Sequence, residues 1–337
     1  MTILLVGAQG TDGCGLFNRL LRKGHTLPWI FVLCVNSGKV APSRTVDMHK
    51  LMRRRSTIAF LMTLPLLTLM IVLVAYPTGY AIWLSMLDRS MTRFVGLANF
   101  AYLVSHDRFW MVVYQTCLFA VIAVALKAFL GFVAAHFVHN LPTRGQRKWR
   151  GMLLVPWVIP AAMSVLGWRL LFEPSFGAFN WILEHLGMDC VIWLGETGWA
   201  RFSVILVTVW FGAPFFMVMY LASLKSVPDE LYEAASIDGA TWWQRIRYVT
   251  FPMMCNIVAI TMVFSLIGSF AGFTIVAVLT NGGPLGTTQV LGTSAFLVGI
   301  MSGNLPLGAS MSLFMAPILA AAAIYILRGI AKRESEV

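Results

Sequence analysis

Ser226 to Pro252 reads SVPDELYEAASIDGATWWQRIRYVTFP, a polar interruption between two long apolar segments. Ser226 is placed to cap a helix, Pro228 suits a first helical turn, and Asp229 follows three residues after the cap. The helix is predicted to run through Leu231, Ala234 and Ala235 and to stop at Gly239, because glycine tolerates positive φ. Thr241 followed by Gln244 is a second capping signal, opening a short helix expected to end before Pro252. The pattern is a helix, a glycine turn and a second helix, all too polar to cross a bilayer.

The rest of the chain is the opposite in character. Hydrophobic residues make up 58% and charged residues 12% of the 337 residues, and the mean hydropathy is +0.78. A soluble domain carries about a quarter charged residues, so this is a polytopic membrane protein. At about 20 residues per spanning helix, six or seven spans fit. Five cysteines, Cys14, Cys34, Cys117, Cys190 and Cys255, are scattered without C-x-x-C spacing and read as apolar fillers.

Outward from the polar stretch, the apolar segments number six. They are predicted at about 57–86, 110–139, 152–172 (with Pro156 and Pro160 inside), 202–224, 253–279 and 307–327. A short interfacial helix is expected from Ala98, and the uncharged, glycine-rich 280–306 is left without a span. Pro77 is expected to kink or thin the outer end of the first span. Residues 1–49 open with MTILLVGAQGTDG, a strand-like run into a glycine turn. A dinucleotide site needs a crossover helix and further strands, for which there is no room. This stretch is therefore an extension of no assigned function, with Met48 or Met52 as alternative starts and a short cytoplasmic tail as the other reading. The membrane domain is 50–337.

Orientation follows from Lys and Arg in the short loops. With the N-terminus inside, the inner face receives Lys50, Arg53 to Arg55, Arg144, Arg147, Lys148, Arg150, Lys225, Arg245, Arg247 and the tail Arg328, Lys332 and Arg333. The outer face receives Arg89, Arg93, Arg108 and Arg201. Both termini and the 226–252 stretch are thus expected in the cytoplasm. The asymmetry also accounts for the net charge of +11 without nucleic acid.

Glu233-Ala234-Ala235, Asp238-Gly239-Ala240 and Val249, Phe251 and Pro252 resemble the EAA loop of ABC importer permeases, which docks into a cleft of a cytoplasmic ATPase. The resemblance extends over about 57–330. Tyr76-Pro77 with Trp83-Leu84-Ser85, Phe94 to Phe100, Leu154 to Trp157, Trp168 to Phe172, Phe176-Gly177 with Asn180, and Thr280 to Pro284 with Thr287 are similar to segments of the carbohydrate-type (MalF/UgpA-like) permeases. It departs at Asn256, where relatives often carry proline, and at Lys127, where they often carry an acid or amide. The resemblance implies an all-α, six-transmembrane-helix core of type I ABC importer (MetI-like) architecture in a bacterial inner membrane. It further implies a second, MalG-like permease, a homodimeric ATPase that binds ATP and Mg, a periplasmic solute-binding protein, and no cofactor in this subunit.

Glu233, Ala234, Ala235, Asp238, Gly239 and Ala240 are the candidate ATPase-coupling residues, the small ones permitting close approach. Trp242, Trp243 and Ile246 are expected to pack the second helix back onto the protein. Ser265, Ser269 and Gly272 fall at i, i+4 and i+7 of the fifth span, with Phe273 beside them. By resemblance these match sugar-contacting positions, and hydroxyls plus an aromatic suit a polyhydroxylated ligand. Small-residue helix packing is the competing reading. Lys127 sits mid-span, where a charge costs ~3 kcal/mol, and with Trp168 and Arg169 of the third span it completes the candidate pathway. Its charge prompts the expectation of an anionic sugar derivative; a structural interaction with a neighbouring helix is the alternative. His136 and His139 lack a nearby carboxylate or thiol, so no metal site is expected. No phosphate-binding loop or catalytic set is present, which points to a non-catalytic permease subunit. A proton- or ion-coupled secondary transporter is the alternative, and it would need intramembrane carboxylates.

Overall fold

A computed structural model of the chain describes residues 59–60, 62–270 and 272–334. The 1–49 extension, Lys50, Arg53 to Arg55 and the alternative starts Met48 and Met52 lie outside these residues. The chain divides into two compact units at Met70 and Ile71. The described part of the first is helical, with Thr63 and Thr68 hydroxyls donating to the Phe60 and Leu64 carbonyls.

Five helices are long and apolar enough to span a membrane: α1 (Met62–Ser85), α3 (Asp107–His139), α7 (Thr197–Leu224), α9 (Trp242–Phe270) and α12 (Leu305–Glu334, apolar over Leu305–Ile326). Two further helices, α4 (Thr143–Val158) and α5 (Ala161–Leu171), are long and apolar enough only when taken together, and they are bent by 90° at the break between them. Shorter helices are α2 (Ala98–Val104), α6 (Ala178–His185), α8 (Asp229–Ile237), α10 (Phe273–Leu279) and α11 (Leu291–Met301). No strand forms among the described residues; Leu87 and Phe94 make an isolated bridge outside α1. Beside that bridge Asp88 accepts from the Ser90 hydroxyl and from the Thr92 and Arg93 amides. These bonds, the Ser90 one foremost, hold its carboxyl below the usual carboxylate range.

The core is built around α3 and α7, which pack along each other more extensively than any other pair. Val124, Ala128, Ala135 and Val138 of α3 meet Phe216, Met217, Tyr220, Leu221 and Leu224 of α7, with Met254 and Val258 of α9 closing the cluster. A second cluster joins Phe119, Val165, Phe172, Val204 and Val207 to Val276 and Leu279 of α10. A third joins α2, α3, α11 and α12 through Leu103, Phe109, Val112, Leu291, Ala295 and Met311. Asn99 and Asn180 each knot a loop: Asn99 donates to the Ser85 and Leu87 carbonyls, and buried Asn180 bonds Pro174, Val191 and Trp193.

Four features depart from the expectations drawn from sequence. The third span is not one rod, because Ile159, restricted by the proline after it, is extended at φ −71° and ψ 136° and Pro160 caps a new helix. The fifth span ends at Phe270 rather than Leu279; Gly272 takes a non-helical ψ of 62° and caps α10. A Cβ there would lie 2.9 Å from the Ser269 carbonyl oxygen, so the lack of a side chain at Gly272 suits this tight approach. Within 280–306, the stretch Leu291–Met301 is helical and packs on α12. Finally, Pro252 does not end the second helix of the polar stretch. A π-turn over Ile246–Thr250 precedes it, widening the helix where the proline would otherwise clash with its preceding turn. Pro77 is accommodated in the same way, after a π-turn over Ile71–Ala75.

Candidate functional site

The polar stretch begins while α7 is still turning. Ser226 donates back to the Ser223 carbonyl at 2.7 Å, so it does not cap α8; Pro228 occupies that position with an extended backbone. Asp229 and Glu230 then supply negative charge to the first turn, where the helix dipole favours it. Gly239 has φ +72°, as the turn demands. A side chain there would meet no atom within 4 Å, so only backbone strain excludes it. Thr241 and Gln244 form the full capping box, with Gln244 Oε1 accepting from the Thr241 amide at 2.7 Å.

Two side chains lock this loop into shape. Arg245 donates through Nε to the Ala240 carbonyl at 3.1 Å and through Nη1 to Ser236 Oγ at 3.3 Å. Tyr232 Oη lies 2.9 Å from Thr250 Oγ1, which donates from the end of the π-turn to the Arg245 carbonyl just before it, at 3.3 Å. Around that frame Glu233, Ala234, Asp238 and Gly239 are exposed, and Ala235 and Ala240 half-buried. Ile237 is 87% exposed, an apolar residue at the loop's tip that capping arguments did not single out. Of the three residues expected to pack inward, Ile246 is buried, whereas Trp242 and Trp243 are more than half exposed. Trp242 touches the body of the protein through its Nε1, which donates to His136 Nε2 of α3 at 3.2 Å.

At the far end of α9 lies a cavity of about 400 Å³ between α3, α7, α9 and α10. Lys127, Ser265, Ser269, Gly272 and Phe273 all line it. Lys127 is 6% exposed, and its Nζ donates to Ser269 Oγ at 3.2 Å and Ser265 Oγ at 3.5 Å. Its stem lies over Gly212 of α7, where a Cβ would sit 2.7 Å from the lysine Cε. The volume falls in the range of small-molecule sites, about 300–1,000 Å³. The lining is mainly apolar and aromatic with a few polar groups, the composition of such sites.

Trp168 and Arg169 do not line the cavity. Trp168 belongs to an aromatic cluster with Phe172, Phe179 and Trp210, and Arg169 Nη1 donates to the Val278 carbonyl of α10 at 3.4 Å. The third span contributes Ala161, at the start of α5, instead. Sequence reasoning also missed Thr208, Phe211, Gly212 and Phe215, all lining residues of α7. Their spacing of i, i+3, i+4 and i+7 marks one helix face and could have revealed them.

These features define a class: a polytopic membrane protein with a cavity between its spans and a structured polar loop at one end of a spanning helix. The chain belongs to the family of binding-protein-dependent transport system inner membrane components, whose pattern matches residues 127–332. It is 36% identical over 252 residues to the trehalose/maltose transport system permease protein MalF of Thermococcus litoralis, covering 73% of this chain and 85% of that protein. It is 31% identical to the galactooligosaccharides transport system permease protein GanP of Bacillus subtilis, over 69% of this chain and 59% of GanP. Among solved structures, a bacterial ABC transporter involved in import of the acidic polysaccharide alginate shares the fold. Its TM-score is 0.75 at 21% identity, covering 85% of this chain and 99% of that one.

Proposed function

We propose that this chain is the permease subunit of an ATP-driven carbohydrate importer in a bacterial inner membrane. It works beside a second, MalG-like permease, a cytoplasmic ATPase dimer and a periplasmic solute-binding protein. The subunit itself is non-catalytic; ATP and Mg belong to the ATPase. The carrying observation is that one unbroken helix, α9, begins in the polar loop at Trp242 and lines the cavity at Ser265 and Ser269. Seated in an ATPase cleft, the exposed surface of Glu233, Ala234, Asp238, Gly239 and Ile237 would receive closure of the ATP-bound dimer. The α9 backbone would carry that motion to the cargo cavity. Family membership and the sugar-transporting relatives support the carbohydrate class, as do the hydroxyls of Ser265 and Ser269 and the ring of Phe273. A secondary transporter would need coupling carboxylates, and no Asp or Glu among the described residues lines the cavity.

The test is Gly239→Asp and Glu233→Lys in the complete importer. Gly239→Asp forces a side chain into left-handed backbone, costing about 1–2 kcal/mol locally, and adds bulk where the loop must approach its partner. Both variants are expected to insert and reach normal membrane levels while ATP-dependent sugar uptake falls by more than about tenfold. Unimpaired uptake by both would exclude the docking role.

A further inference from the structure

We propose that the cavity recognises an anionic sugar, one bearing a carboxylate, sulfonate, sulfate or phosphate group, and that Lys127 is its specificity-determining residue. This rests on the carbohydrate-permease reading and names the cargo of that same cavity.

The first observation concerns what surrounds the lysine. It is nearly fully buried, yet among the described residues no Asp or Glu lines the cavity. Its hydrogen-bond partners are the neutral hydroxyls of Ser265 and Ser269, and no carboxylate among the described residues pairs with it. Two hydroxyls at 3.2 and 3.5 Å engage two of three ammonium hydrogens and neutralise none of the charge. Buried charges in proteins are ordinarily paired. Here the cavity is the space in which a counter-charge fits, since Lys127 is one of its walls.

The second observation is the provision made for the lysine. Gly212 leaves the room through which the side chain reaches the serines; an added Cβ would lie 2.7 Å from Cε and 2.8 Å from Cδ. A lysine merely tolerated at the membrane level would extend toward an interface. This one is held across the helix pair.

The third observation is the broken third span. Ala161, the first residue of α5, lines the same cavity. First-turn amides of a helix lack intrahelical acceptors and carry the positive end of its dipole. Discontinuous membrane helices present such ends to anionic cargo groups. Lys127 and the N-terminal residue of α5 thus border one space. The rings of Phe211, Phe215, Phe264 and Phe273 also line it and offer faces for the apolar side of a pyranose.

The experiment uses the complete importer with its binding protein in proteoliposomes. Uptake is measured for three labelled probes: maltose, a glucuronate-terminated disaccharide of the same linkage, and a 6-sulfo-6-deoxyglucoside. Because the binding protein is the same throughout, a change in the anionic-to-neutral uptake ratio between variants reports on the permease. Lys127→Gln is expected to lower that ratio at least about tenfold, the worth of a charge-assisted hydrogen bond. Lys127→Arg should keep it within about threefold, and Gly212→Ala should lower it while leaving the charge in place. The two anionic probes show whether carboxylate or sulfonate is preferred. Co-elution of the assembled complex checks folding. If Lys127→Gln does not assemble, Lys127→Arg and Gly212→Ala decide the matter by opposite predicted ratios. The proposal is overturned if wild type carries maltose but neither anionic probe, if Lys127→Gln leaves the ratio unchanged, or if it lowers all three uptakes equally. Absence of ATP-dependent uptake of any probe by wild type would instead overturn the sugar-importer reading on which the proposal stands.

Discussion

The Tyr232 hydroxyl, 2.9 Å from Thr250 Oγ1, ties the first helix of the polar loop to the π-turn of α9. Tyr232→Phe removes that bond, worth about 1 kcal/mol, and keeps the ring. Insertion and assembly should be normal, while the ATP hydrolysed per sugar imported rises by about two- to fivefold; parallel ATPase and uptake assays read this ratio. At this scale the sequence was informative where chemistry is costly. A lysine in mid-span and serines on one helix face declared themselves, and the structure joins them. Trp168 and Arg169 looked equally suggestive but serve packing and a backbone carbonyl. Nothing in residue type separates a cation that meets a cavity from one that meets a peptide oxygen. Gly212 matters only through the lysine stem above it, a relation that needs the fold to be seen.

Among the elements, the second and fourth predicted spans match α3 and α7 to within five residues, whereas the third and fifth miss by nine or more at one end because polar helical turns continue past the apolar run. Their breaks were harder to read. Pro160 did break a helix and Pro252 did not, and the difference lies in the preceding turn: extended at Ile159, π-wound at Ile246–Thr250. Proline removes one amide and crowds the preceding turn, yet Pro214 lies inside α7 with neither a break nor a π-turn, so residue type alone does not foretell the outcome. The small helix α11 was missed because 280–306 carries glycine-rich punctuation around a short apolar run. Its approach to α12 is close: a Cβ on Gly308 would sit 2.5 Å from Gly299 Cα and 2.8 Å from the Ala295 carbonyl. Gly308→Val is therefore expected to destabilise the pair by about 1–3 kcal/mol through overpacking. A lowered Tm of the purified protein would show it, and an unchanged Tm would argue against so tight a contact.

Across the whole molecule, the charge asymmetry of the short loops predicts that the segment between α6 and α7 faces the periplasm and the polar loop faces the cytoplasm. Cys190, exposed in that segment, gives a direct check. A variant retaining only this cysteine should react with a membrane-impermeant maleimide in intact spheroplasts. A variant carrying only Ser236→Cys, on α8, should react only after permeabilisation. Reversed labelling would invert the topology and remove the loop from reach of any ATPase.

The continuity of α9 through Pro252 has a geometric consequence. From Trp242 to Ser265 the helix advances about 35 Å at 1.5 Å per residue. Pivoted at its loop end, such a lever needs a tilt of only about 5° to carry Ser265 sideways by about 3 Å, two helical rises. That displacement matches the reach of a hydrogen bond. A modest rotation at the loop would thus suffice to pull both serines away from Lys127, changing the ammonium's neighbours without moving the lysine. Had the chain broken at the proline, the same rotation would have dissipated in a hinge some 13 residues short of the cavity, about 20 Å away.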